Sequence, residues 1–71
     1  MDKLLARLFK LQQEHMANGE RAGQALFNAL NSIDPQLALK ITGDYADCFY
    51  DNSRIPEFFA AVLNDYLEKN P

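Results

Sequence analysis

Between Lys3 and Ile33 the apolar residues keep to one side of a helical wheel, and this periodicity constrains the fold more than any other feature. At about 100° per residue, Leu4, Leu5, Leu8, Phe9, Leu11, Met16, Ala22, Leu26, Phe27, Ala29, Leu30 and Ile33 share one broad arc. Lys3, Arg7, Lys10, Glu14, Arg21, Gln24, Asn28 and Asn31 occupy the opposite one. Asn18-Gly19 interrupts the pattern with turn-forming residues, since Gly weakens a helix interior by roughly 1 kcal/mol relative to Ala. A turn normally resets the angular register, yet the polar stripe lines up on both sides of Gly19. The phase therefore predicts one unbroken helix from about Lys3 to Asn31, with a helix–turn–helix hinged at Asn18-Gly19 as the alternative.

Asp34-Pro35 is a start signal, because an Asp side chain caps free N–H groups and Pro fits the first helical position. A short helix should run from Pro35 to about Thr42 and stop at Gly43, which accepts a left-handed backbone. Residues 44–52 mix aromatics and acids without a sustained period and read as an ordered loop. Asn52 or Ser53 is expected to cap a last helix from Arg54 to about Lys69, where Ile55, Phe58, Phe59, Val62, Leu63, Tyr66 and Leu67 repeat at threes and fours and Pro56 falls in the tolerated first turn. No segment alternates as a strand does. The expected class is all-α: one small helical bundle over residues 1–71, with a long first helix, a short middle helix and an amphipathic last one.

The 71 residues include one Cys, Cys48, and one His, His15, which excludes an internal disulfide and every zinc site needing more than two such ligands. A chain this short has a marginal core, and the remaining way to reinforce it is oligomerisation. Seven Lys and Arg against ten Asp and Glu leave a net charge of −3, which argues against nucleic-acid binding. The charge is polarised: residues 1–10 hold Lys3, Arg7 and Lys10 against Asp2, and residues 44–68 hold six acids against Arg54. No apolar run approaches the roughly 20 residues that span a bilayer, and Lys and Arg interrupt the leucines at the start, so a cytoplasmic protein without membrane partners is expected.

Chemistry-bearing constellations are sparse. A thiol at Cys48 activated by His15 would need a lowered pKa, whereas Asp47 and Asp51 raise it. Asp44, Asp47 and Asp51 lack the spacing and central Gly of an EF-hand. No catalytic residue, metal ligand or cofactor is assigned. Gly19-x-x-x-Gly23 reads equally as incidental small residues or as a close helix crossing.

The string Arg21-Ala22-Gly23-Gln24-Ala25-Leu26-Phe27-Asn28-Ala29-Leu30, followed by Asp34-Pro35, Phe49-Tyr50-Asp51 and Arg54-Ile55-Pro56, resembles short helical proteins of bacterial genomes and prophages for which no function is established. The resemblance covers about residues 18–59 and implies a small helical protein without catalytic residues.

A continuous first helix would be about 44 Å long, against a radius of gyration of about 11 Å for a compact chain of this length. It must overhang the fold, which exposes residues 4–16. Leu4, Leu5, Leu8, Phe9, Leu11 and His15 are then the expected self-association surface of a homodimer. The expected function is a protein-interaction module, a helical homodimer or an adaptor, and the alternative is an acidic phage-related inhibitor that occupies a basic site on a host protein. The second candidate surface is the loop, where Tyr45, Asp47, Tyr50, Asp51 and Arg54 would meet a partner. The competing reading makes Phe49 and Tyr50 a plug between the last two helices.

Overall fold

The first helix ends where Gly19 lets the chain turn: α1 spans Asp2–Ala17 and α2 spans Ala22–Ile33. The computed structural model describes residues 2–69, the backbone only at residue 2. Gly19 adopts φ +94°, and its N–H donates to the Met16 carbonyl at 3.0 Å while that of Glu20 donates to the His15 carbonyl at 3.3 Å. This is the Schellman closure, which satisfies carbonyls that the last helical turn leaves free. The expected unbroken helix through Gly19 is thus replaced by a hairpin. Phase could not decide between them, because in a hairpin each helix independently turns its apolar stripe toward the other.

Side chains hold the reversal from both sides. Gln12 Nε2 donates to the Ala22 carbonyl at 3.0 Å. One Glu20 oxygen accepts from Asn28 Nδ2 and the other meets His15 Nδ1, each at 2.8 Å. The Asn28 hydrogen bond, with the His15 contact adding to it, holds the Glu20 carboxyl below its ordinary value.

The hairpin also removes the expected overhang. The longest dimension is 37 Å and the radius of gyration is 11.2 Å, close to the value of about 11 Å for a compact chain of this length. Leu8, expected at a dimer surface, lies fully buried among Leu26, Leu30, Phe58 and Val62 in the common core. Leu4 and Leu11 are half-buried and pack on the same core, and His15 is half-buried at the turn. The exposed 4–16 stretch is therefore corrected to one face of α1.

Two further helices complete an all-helical domain, with no strand among the described residues: α3 at Pro35–Ile41 and α4 at Ile55–Lys69. Asp34 caps α3, its Oδ1 accepting the Leu37 N–H at 3.2 Å, and Pro35 opens the helix as expected. The same carboxylate takes Lys69 Nζ at 3.2 Å on its other oxygen, tying the start of α3 to the end of α4. The Leu37 N–H and then Lys69 lower the Asp34 pKa. Gly43, with φ +78°, turns the chain just after α3.

The loop returns across the start of α2 at Gly23. There the Cys48 thiol donates to the Gly23 carbonyl at 3.2 Å, and the Gly23 N–H donates to Asn52 Oδ1 at 2.8 Å. A Cβ at Gly23 would collide with the Cys48 carbonyl oxygen, whereas one at Gly19 would meet nothing. The two glycines of the Gly19-x-x-x-Gly23 spacing therefore do different things: one turns the chain, and the other admits a loop backbone. With Asn52 so engaged, Asp51 supplies the cap, accepting the Ser53 N–H at 2.9 Å ahead of a 3-10 turn over Asn52–Arg54. α4 then begins at Ile55, with Pro56 in its first turn.

Gly19→Ala should lower stability by about 1 kcal/mol through left-handed strain alone. Gly23→Ala should cost about 1–3 kcal/mol by displacing the loop. Urea unfolding of both variants checks the order. Because Glu20, Asp34 and Asp51 have lowered folded-state pKa values, the stabilisation they give is complete above the ordinary carboxylate range and is lost as pH falls through those lowered values. The melting temperature should therefore drop below about pH 4, and Glu20→Gln should flatten that drop.

Candidate protein-interaction surfaces

The loop of residues 42–51 is built by its own acids. Asp44 Oδ1 accepts the Tyr45 N–H at 2.7 Å, and Asp47 accepts the Gly43 N–H at 2.8 Å and the Phe49 N–H at 3.0 Å on its two oxygens. Short carboxylates that cap nearby N–H groups fix a turn without any regular secondary structure. Arg54 Nη1 reaches back to the Tyr45 carbonyl at 2.9 Å, and Arg21 Nη2 holds the Phe49 carbonyl at 2.7 Å.

These contacts bring all five residues expected at a partner surface, Tyr45, Asp47, Tyr50, Asp51 and Arg54, around one open concavity of about 420 Å³, together with Gly43 and Asp44. The aromatics divide. Phe49 is half-buried and sets its ring edge-on to Phe27 at 5.9 Å, so it packs on α2 rather than in the gap between the last two helices. Tyr50 meets Phe49 edge-on and remains 84 % exposed, and Tyr45 is 57 % exposed. The concavity is thus an acidic, tyrosine-rimmed surface whose backbone is tied by its own carboxylates. Among the described residues no group of three or more His, Cys, Asp or Glu is disposed to hold a metal ion.

His15 and Cys48 each hold another partner, Glu20 and Gly23 respectively. Burial, with the charge of Asp47 adding to it, pushes the Cys48 thiol up to about 11. It is protonated at neutral pH and is a packing group rather than an activated nucleophile.

A second surface lies between α1 and α4: Phe9 meets Phe59 while Leu4 shares a concavity with Val62, Tyr66 and Lys69, so the two helices run antiparallel, which sets Leu5 opposite Leu63. Leu5, Phe9, Phe59 and Leu63 line an open, almost wholly apolar groove, and the Phe9 and Phe59 rings lie 6.0 Å apart. Phe9 is 50 % exposed, Leu63 41 % and Leu67 54 %. Of the six residues expected to mediate self-association, only Leu5 and Phe9 belong to this groove. Its α4 half, Phe59 and Leu63, stands in the sequence only as part of the apolar repeat of the last helix. The missed signal is the breadth of the apolar arc on α4: Phe58 and Val62 already fill the buried stripe, so Leu63 and Leu67 fall outside it.

Among the described residues no helix is long and apolar enough to cross a membrane. No family model, curated protein or solved structure matches the chain.

Tyr45→Ala should change stability by no more than about 0.5 kcal/mol, as for other exposed side chains. Phe49→Ala should cost at least about 2 kcal/mol through lost packing on Phe27. Thermal or urea unfolding separates the structural aromatic from the free one.

Proposed function

We propose that this chain is a small cytoplasmic protein-interaction module that works as a homodimer, joined through the apolar groove between α1 and α4. One observation carries the reading: a fold that already buries its core completely leaves Phe9, Leu63 and Leu67 exposed along a single face. Apolar side chains gathered in this way mark contact sites more often than they decorate a free surface. A twofold dimer is the simplest assembly that covers such a face, because each copy supplies the surface the other needs. The apolar surface supports binding to another protein surface, and the net negative charge speaks against nucleic acid as the partner.

A second reading rests on the loop. Tyr45 and Tyr50 stand exposed beside Asp44, Asp47 and Asp51, the chemistry with which an acidic inhibitor would occupy a basic site on another protein. Binding of that kind would weaken with salt, whereas burial of the groove depends on apolar area.

Light scattering at high micromolar concentration should give twice the monomer mass. Leu63→Lys combined with Leu67→Lys should give the monomer mass with helical content retained. Leu39→Lys, at an exposed leucine of α3 outside the groove, should leave the dimer intact. A monomeric parent protein would refute the dimer.

A further inference from the structure

Resting on the dimer reading, we infer that the second copy docks with its twofold axis along the groove, so that α1 of each copy lies over α4 of the other. The uncharged face is wider than the groove. On α1 it runs through Leu5, Ala6, Phe9, Gln13 and Met16, and on α4 through Pro56, Phe59, Ala60, Leu63 and Leu67. None of these ten residues carries a charge.

The two outer rims do. Lys3, Arg7, Lys10 and Glu14 follow one another at steps of four, three and four along α1, giving three bases and one acid on one stripe. On α4 the corresponding stripe holds Glu57, Asn64 and Glu68, with no base. The apolar face is thus flanked by a basic rim on the α1 side and an acidic rim on the α4 side.

Face-to-face packing of two copies allows two simple placements of the twofold axis. An axis across the groove sets α1 on α1 and α4 on α4, which opposes basic rim to basic rim and acidic rim to acidic rim. An axis along the groove sets each α1 on the partner copy's α4 and brings unlike rims together on both sides. Register follows from the antiparallel neighbours. Phe9 is level with Phe59 and Leu5 with Leu63, so Lys10 is level with residue 58, one helical residue from Glu57. An axis along the groove preserves this level between copies, and each Lys10 then faces the other copy's Glu57 across the rim. Glu57, in the first turn of α4 and level with Lys10, is therefore the acid of the rim to test.

The experiment uses the full-length chain and sedimentation equilibrium. Lys10→Glu and Glu57→Lys should each weaken the dimer by roughly tenfold, since every reversal is read twice in a twofold assembly. The double reversal in one chain should return it to within about twofold of the parent. Circular dichroism confirms that each variant folds. Mixing tagged parent chains with Lys10→Glu chains supplies the second readout, and mixed dimers should not exceed their statistical share. An excess of mixed dimers would place α1 on α1 and overturn the arrangement. So would a double reversal as weak as the two singles combined, or a dimer indifferent to all three. In those cases the dimer itself stands, whereas a parent chain monomeric throughout would remove both the arrangement and the reading beneath it.

Discussion

Everything in this fold depends on the reversal at residues 18–21. A left-handed backbone at Gly19 ends α1, and the Glu20 carboxylate then grips both arms of the hairpin, His15 on α1 and Asn28 on α2. Folding α1 back on α2 is what delivers Leu8 to the core and gives Phe58 and Val62 of α4 a surface to close against. Four residues after Gly19, Gly23 receives the returning loop through its N–H, its carbonyl and the absence of a Cβ. A single turn of chain thus organises both the helical hairpin and the loop that positions α4. That economy suits a domain too small to hold its elements by core volume alone.

What could be read from sequence was what short-range chemistry decides. Asp34-Pro35, Gly43 and Pro56 each act on their immediate neighbours, and each stands where local rules put it. At the first helix two signals conflict, and the local one prevails. Asn18-Gly19 is a local instruction with a steric basis, whereas an unbroken apolar phase is compatible with one helix or with two facing each other. At the last helix it is the long-range contact that prevails. Asn52 is a suitable cap by type, but the buried N–H of Gly23 claims its side chain, and Asp51 takes over the turn.

The same distinction separates the two surfaces. The loop residues lie within ten positions of one another, and their carboxylates bond to their own backbone, so proximity in sequence becomes proximity in space. The groove needs α1 and α4 to be neighbours, and nothing in either segment says which stripe of a broadly apolar helix will face inward. Leu5 and Leu8 are three residues apart on α1, yet Leu8 is enclosed and Leu5 lines an open groove.

These surfaces also differ in the kind of recognition they can support. In the loop, Asp44, Asp47 and Asp51 already accept hydrogen bonds from Tyr45, Gly43, Phe49 and Ser53. They offer fixed negative charge more than free lone pairs, and with the tyrosines they form a surface that needs little ordering before contact. The groove presents apolar area, which attracts without direction and by itself selects neither partner nor orientation. Direction comes from what borders it. A basic rim on one helix and an acidic rim on the other disfavour every placement that opposes like charges. Overall repulsion between copies of net charge −3 acts in every placement, so what distinguishes the proposed placement from the others is that its rims meet unlike charge with unlike.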